Sequence, residues 1–118
     1  MMLKDLVGHY TVVGSNQDGD LNNYKGLLSL VLDENNRIKA KWLINKNQEQ
    51  FGTGFFKDNI LVINFNYKMH HKIFKGVAVY KCISKDLLEG FWSEKHGDPN
   101  FIGEEQCFRI NKLKEVIN

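Results

Sequence analysis

The sequence contains little proline, cysteine and arginine, and it lacks long hydrophobic runs. Its two cysteines, Cys82 and Cys107, are too few for the disulfide framework of a small secreted protein, so we expect both to be buried free thiols. No segment approaches about eighteen apolar residues, which excludes a transmembrane helix. The N-terminal residues lack the apolar core and cleavage site of a signal peptide. We therefore expect a cytoplasmic protein, the alternative being a secreted or periplasmic protein whose signal has been removed.

The sequence also lacks the motifs of common active sites and cofactor sites. It has no nucleophile elbow, no phosphate-binding glycine loop and no dinucleotide fingerprint. His70, His71 and His96 do not have the spacing of a zinc site, and adjacent residues of a strand point to opposite faces, so we interpret them as surface turn residues. We expect no catalytic residue, no metal and no cofactor, and the sequence favours a protein that is not an enzyme.

Neither sign of charge is in large excess. Sixteen Lys and Arg residues stand against fourteen Asp and Glu residues, which gives a formal net charge of +2. Nucleic-acid binding would need basic residues clustered on one face, and only Arg37 and Arg109 could make bidentate contacts. We therefore expect no nucleic-acid partner.

Short alternating apolar segments, separated by turn residues, run through the whole chain. Aromatic residues make up 12% of the 118 residues, which suits β-structure. Between residues 37 and 45, Ile38, Ala40, Trp42 and Ile44 alternate with polar side chains, a pattern typical of a half-buried antiparallel strand. The same pattern predicts eight strands, at residues 8–14, 24–32, 37–45, 49–56, 60–69, 72–84, 87–95 and 101–110.

Eight sequential strands joined by short turns predict an antiparallel up-and-down β-barrel, because closure removes the exposed strand edges. Residues 1–7 are expected to form a short helical turn, and residues 111–118 a further helical turn or a disordered tail. The whole chain, residues 1–118, is predicted to be one domain. Side chains can fill the interior of such a barrel or leave room for one small ligand, and the sequence leaves this choice open.

Three residues carry a resemblance to a known group of barrels. Gly8 and Tyr10 open the first strand in a Gly-x-Tyr motif, and Arg109 lies in the last strand. This layout resembles the calycins, which include lipocalins, fatty-acid-binding proteins and avidins and have a Gly-x-Trp motif at this point. The resemblance implies a lipocalin-like barrel in which Arg109 packs across the Tyr10 ring at the closed end, a structural role. The wider pattern is also similar to small bacterial barrel proteins, through Gly8-His9-Tyr10, Asn16, Asp18-Gly19 and Tyr24-Lys25-Gly26.

Several aromatic and acidic residues are candidates for the barrel interior. Aromatic side chains could line a cavity for an apolar or aromatic ligand, and glycines at positions 26, 76 and 90 would leave room for it. Glu94 or Glu104 could point inward as a polar anchor, since each shares a strand face with apolar residues. The predicted ligand-binding residues are Trp42, Trp92, Tyr67, Phe65, Tyr24, Glu94 and Glu104.

These observations favour a binding module that holds a small apolar or aromatic ligand inside the barrel. The alternative is a protein-binding or inhibitor module that uses the outer barrel surface and the loops, with the interior solid. An enzyme on the same scaffold would need an inward His or carboxylate with a hydrogen-bonding partner at the cavity mouth. The interior volume and any exposed apolar patch distinguish the first two.

Overall fold

Eight antiparallel β-strands close into a barrel in the computed structural model, which describes residues 1–18 and 22–111. A 3₁₀ helix at Leu3–Leu6 precedes the first strand. The strands are β1 (Gly8–Ser15), β2 (Asn23–Leu32), β3 (Ile38–Ile44), β4 (Gln48–Lys57), β5 (Ile60–Met69), β6 (Lys72–Ser84), β7 (Leu87–Glu94) and β8 (Gly103–Arg109). The predicted barrel with an N-terminal helical turn is confirmed. The tail predicted over residues 111–118 lies outside the described residues beyond Asn111.

Each strand pairs with its neighbours in the sequence, and β1 pairs with β8 to complete the barrel. Alternation of buried and exposed side chains explains this arrangement, because the apolar face of each strand turns inward. On β3 and β5 the inward side chains are Ile38, Ala40, Trp42, Ile44, Leu61, Ile63, Phe65 and Tyr67. The side chains between them on these strands are mostly polar and exposed.

Tight turns join several of the strands. His70 and His71 form the two-residue turn between β5 and β6, with φ angles of 50° and 65°. Positive φ at both central residues defines a turn whose twist matches that of the flanking strands. The interpretation of these two histidines as a surface turn is therefore confirmed.

Arg109 holds the N-terminal segment across one end of the barrel, here called the closed end. Its guanidinium carbon lies 4.9 Å from the centre of the Tyr10 ring. The guanidinium also donates hydrogen bonds to the backbone oxygens of Lys85 at 2.8 Å, Val7 at 2.9 Å and Asp5 at 2.5 Å. The fork of the guanidinium thus joins the last strand to the segment before the first.

Gly8 and Tyr10 complete this end. The Tyr10 hydroxyl donates to the Leu6 carbonyl at 2.8 Å, and burial raises the pKa of Tyr10 to about 12. Gly8 has a φ of 149°, and a Cβ there would lie 2.3 Å from a guanidinium nitrogen of Arg109. Only glycine fits this backbone position, which gives the Gly-x-Tyr motif its physical reason.

Aliphatic side chains fill the half of the barrel next to the closed end. The hydrophobic residues exposed by at most 1% there are Leu6, Tyr10, Val12, Leu28, Leu30, Ile38, Leu61, Ile63, Leu88 and Cys107. Cys82 and Cys107 are both free and buried, as the sequence predicts. None of the helices in residues 1–18 and 22–111 is long and apolar enough to cross a membrane.

Candidate ligand-binding cavity

A cavity of about 200 Å³ occupies the half of the barrel opposite the closed end. The interior is therefore packed at one end and open at the other, which answers the question that the sequence left open. Six aromatic side chains line the cavity: Tyr24, Trp42, Phe65, Tyr67, Tyr80 and Trp92. The remaining lining side chains are Asn16, Ile44, Gln48, Gln50, Met69, Ala78, Glu94 and Glu105.

Phe65 is the centre of the aromatic wall. Its ring meets the rings of Trp42 and Trp92 edge to face, with centroids 6.1 and 6.2 Å apart. Its ring also stacks on that of Tyr67, with centroids 6.5 Å apart, and Tyr67 stacks in turn on Phe74 at 5.2 Å. Such ring pairs fix each other's orientation, so the wall has a defined shape.

Glycines on neighbouring strands explain how rings of this size fit inside the barrel. Phe65 lies directly across from Gly76 in the β5–β6 pairing, and Trp92 lies across from Gly103 in the β7–β8 pairing. A Cβ on Gly76 would lie 2.4 Å from the Phe65 ring, and one on Gly103 would lie 2.1 Å from Trp92. The sequence predicts space for a ligand at Gly76, but the Phe65 ring occupies that space, and the cavity lies between the aromatic rings.

Glu105 is the buried polar group at the inner end of the cavity. It is 7% exposed, and its carboxylate accepts hydrogen bonds from the hydroxyls of Tyr24 and Tyr80, each at 2.5 Å. The indole Nε1 of Trp42 donates to it at 3.2 Å, and the Cys107 thiol lies 3.6 Å from the same oxygen. Hydrogen bonds from several neutral donors offset part of the cost of burying this carboxylate.

Burial sets the protonation of this cluster. It raises the pKa of Glu105, although the hydrogen bonds from Tyr24, Tyr80 and Trp42 act in the opposite direction. Burial, followed by the nearby Glu105, raises the pKa of Tyr24 and Tyr80 far above the ordinary tyrosine value. Both phenols therefore stay protonated at neutral pH and serve as donors to the carboxylate.

A second carboxylate lies at the mouth of the cavity. Glu94, at the end of β7, accepts a short hydrogen bond from the Tyr67 hydroxyl. Its backbone nitrogen donates to the side-chain oxygen of Gln17 at 2.9 Å. The Gln17 amide nitrogen donates to the Ser93 hydroxyl at 3.0 Å and to the Phe101 carbonyl at 3.0 Å. Gln17 therefore ties the segment after β1 to the β7–β8 connection at the rim.

The cavity lining contains few kinds of polar side chain among the described residues. The lining side chains include two carboxylates but no Lys, Arg, His, Ser, Thr or Cys among the described residues. The same part of the chain has no group of His, Cys, Asp and Glu side chains placed to hold a metal ion. The indole Nε1 of Trp92 is the one buried side-chain polar atom there without a hydrogen-bond partner.

Six of the seven residues predicted to bind a ligand line this one cavity: Trp42, Trp92, Tyr67, Phe65, Tyr24 and Glu94. The expectation that Glu104 points inward is wrong, because its side chain is exposed on the outer face of β8. Gly103, Glu105 and Cys107 form the inward face of that strand, so Glu105 occupies the interior position. The prediction of Cys107 as a buried thiol was the signal that could have identified Glu105, since alternate residues share a face.

Other lining residues were absent from the sequence prediction. Tyr80 is not among the predicted ligand-binding residues, and the polar rim residues Asn16, Gln48 and Gln50 carry no hydropathy pattern that marks them as cavity lining. Their position follows from the strand register, which brings the ends of β1, β3 and β5 to the same side of the barrel. Register of this kind is set by turns and pairing rather than by composition.

No protein-family model matches the chain, and the search of curated proteins finds no match. Solved structures do share the fold. The redesigned beta barrel b11L5F_LGL is 12% identical, with a TM-score of 0.75, over 92% of this chain and 95% of that one. The redesigned beta barrel mFAP1, bound to DFHBI, is 16% identical with a TM-score of 0.71, over 91% of this chain and 97% of that one. The redesigned beta barrel mFAP0, also bound to DFHBI, is 16% identical with a TM-score of 0.69, over 89% of this chain and 99% of that one. At these identities the similarity shows the fold alone.

Proposed function

We propose that this protein is a binding protein, not an enzyme, that holds a small apolar or aromatic molecule in the barrel cavity. The observation that carries the proposal is a cavity of about 200 Å³ with six aromatic side chains in its wall. An apolar protein cavity of about 150 Å³ can hold benzene, so this volume fits a molecule of one ring or two small rings. Sites of this kind combine apolar walls with a few placed polar groups.

The proposed site uses the predicted aromatic residues with one change. Trp42, Trp92, Tyr67, Phe65 and Tyr24 supply the walls. Glu94 remains a proposed polar anchor at the mouth of the cavity, and Glu105 replaces Glu104 as the proposed interior carboxylate.

The similar structures support the capacity of this fold for a ligand, since mFAP1 and mFAP0 are bound to DFHBI. The contact of Arg109 with Tyr10 beside Gly8 supports a relationship to the calycins, which we include in the proposal. The similarity to small bacterial barrel proteins stays a prediction. The free buried thiols Cys82 and Cys107 support a reducing compartment such as the cytoplasm.

Filling the cavity tests the proposal directly. Ala78 lines the cavity on β6, whereas its neighbour Val77 is exposed on the outer face, so Ala78→Phe and Val77→Phe form a matched pair. Native and denatured masses would be compared for protein purified from its own host. We expect a discrete added mass in the wild type and in Val77→Phe, and none in Ala78→Phe. No added mass in the wild type, together with no calorimetric binding of tert-butylbenzene or of its charged analogue phenyltrimethylammonium, would overturn the proposal.

One observation favours a second candidate function, the binding of a protein partner on the outer surface. Phe55, Val62, Val79 and Phe91 pair directly across β4, β5, β6 and β7 and form an apolar row outside the barrel. Phe55 is 62% exposed and Phe91 46%. Exposed apolar patches often mark protein interfaces. A partner that co-purifies with the wild type and rebinds the purified protein, but fails to bind Phe91→Ser, would support this function.

A further inference from the structure

The charge inside the cavity is all of one sign. Glu105 lies at the inner end and Glu94 at the mouth, and the lining has no basic side chain among the described residues. Salt bridges in the described part of the chain join Arg37 to Asp33, Lys41 to Glu49 and Arg109 to Asp86. None of these three includes Glu94 or Glu105. The described side chains thus provide two acidic groups in a confined space without a positive group beside them.

Glu105 is the more informative of the two because it is buried. An ionised carboxylate removed from water is costly unless hydrogen bonds or an opposite charge compensate it. Tyr24, Tyr80 and Trp42 provide hydrogen bonds, but all three are neutral. A cation in the cavity would supply the one kind of partner that the described lining side chains do not.

The walls of the cavity suit a cation as well as an apolar group. The faces of aromatic rings attract positive charge, and the attraction grows when the charge is removed from water. Rings of Tyr24, Trp42, Phe65, Tyr67 and Trp92 line the space next to the two carboxylates. The same wall can therefore contact the hydrocarbon part and the charged part of one molecule.

The hydrogen bonds of Glu105 narrow the kind of cation. A carboxylate has about four lone-pair sites. Tyr24, Tyr80 and Trp42 occupy three of them, and the Cys107 thiol approaches to 3.6 Å. Glu105 therefore has little acceptor capacity left for a primary ammonium group, which has three hydrogen-bond donors of its own. An alkylated ammonium has few donors or none and needs only the charge and the rings.

From this geometry we infer that the ligand is an organic cation with a tertiary or quaternary ammonium group, an inference that rests on the proposed function. The aromatic rings surround the alkyl groups, and Glu105 and Glu94 neutralise the charge. The ligand class is thereby narrowed from small apolar or aromatic molecules to those that carry an alkylated positive nitrogen.

Three probes of nearly equal shape separate charge from size. Phenyltrimethylammonium is positive, tert-butylbenzene is neutral and benzenesulfonate is negative, and each joins one phenyl ring to a tetrahedral group. Binding is measured by calorimetry at neutral pH. We expect phenyltrimethylammonium to bind at least about tenfold more tightly than tert-butylbenzene, and benzenesulfonate to bind most weakly.

Paired variants assign the effect to the interior carboxylate. Glu105→Gln removes the inner charge but retains an acceptor oxygen, and Glu104→Gln removes the same charge from the outer face of the same strand. We expect Glu105→Gln to lose most of the preference for the cation and Glu104→Gln to keep it. Glu94→Gln, expected to weaken the preference partially, serves as a second variant if Glu105→Gln does not fold.

The outcomes distinguish the two proposals. Equal or tighter binding of tert-butylbenzene would overturn the inference of a cationic ligand and leave the proposed function standing. The inference would also be overturned if Glu104→Gln and Glu105→Gln reduced cation binding equally. Failure of all three probes to bind the folded wild type would count against the cavity as a binding site for molecules of this size, and so against both proposals.

Discussion

Replacing Glu105 by Gln and by Leu tests the interior cluster in two distinct ways. Oε1 of Glu105 accepts from Tyr80 and Trp42, whereas Oε2 accepts from Tyr24. In Glu105→Gln the amide oxygen can keep the first two bonds, and the Tyr24 hydroxyl can rotate to accept from the new amide. In Glu105→Leu no acceptor remains for any of the three donors.

The structure sets the expected size of each effect. Trp42 is 3% exposed and Tyr80 1%, so neither donor can reach bulk water once the acceptor is lost. A buried unsatisfied donor costs about 1–3 kcal/mol, so Glu105→Leu should lower the free energy of unfolding by about 2–6 kcal/mol. Glu105→Gln should change it by less than about 1.5 kcal/mol, because the network is largely preserved.

The pH dependence has a defined sign. Burial raises the pKa of Glu105 in the folded state, so the folded protein binds this proton more tightly than the unfolded chain. The associated stability is fully present below the unfolded pKa and is lost as the pH rises through the folded pKa. The groups facing Glu105 are Tyr24, Tyr80, Trp42 and Cys107. Both tyrosines and the thiol have raised pKa values and the indole does not titrate, so none of them changes charge between about pH 4 and 8.

Urea unfolding of the wild type and both variants at several pH values between about 4 and 8 measures these effects. The free energy of unfolding of the wild type relative to Glu105→Gln should fall as the pH rises through this range. If Glu105→Gln is as destabilised as Glu105→Leu at pH 7, hydrogen-bond acceptance by the carboxylate is not what stabilises the cluster. A difference that grows with pH would contradict the raised pKa.

Three further predictions concern other parts of the barrel. Arg109→Lys keeps the charge beside Tyr10 but loses the guanidinium fork that donates to three backbone carbonyls. Urea unfolding should therefore show a free energy of unfolding lower by about 2–4 kcal/mol. A decrease below about 0.5 kcal/mol would contradict the proposed role of the fork. Gly103→Ala places a methyl group 2.1 Å from the Trp92 ring, so the near-ultraviolet circular dichroism of that ring should change, and an unaltered spectrum would refute the contact. His70→Asn combined with His71→Gly suits the positive φ angles of the β5–β6 turn and should raise stability by about 1 kcal/mol; a lower melting temperature would argue against strain there.

Much of the barrel could be predicted from the sequence because the strands alternate in short segments. On β3, Ile38, Ala40, Trp42 and Ile44 share one face with exposed or half-buried residues between them, so the inward face is unambiguous. On β8, Cys107 is buried while its neighbour Phe108 is 42% exposed, so apolar residues lie on both faces. Hydropathy alone cannot distinguish those faces, and this is why the sequence predicts an inward Glu104 instead of Glu105.

The alternation of residues along a single strand does not determine the shape of the barrel interior. Whether Phe65 fills the barrel or walls a cavity depends on which residue lies across from it, and that residue is Gly76 on the next strand. Likewise, the donors to Glu105 come from β2, β3 and β6, which only the closed barrel brings together. Cross-strand register, which turns and bulges help to set, determines both features.

The order of the strands also implies an order of folding. Among the described residues, seven of the eight strand pairings join neighbours in the sequence, and only the pairing of β1 with β8 joins the first and last strands. Closing a long loop costs chain entropy, so we expect the contact between the two ends of the chain to form last. Tyr24 and Trp42 are 81 and 63 residues from Glu105, so their hydrogen bonds to it should form only in this last step. In a Trp92→Phe variant, the fluorescence of Trp42 alone would follow the closing of the barrel, and the cavity would be completed at the same moment.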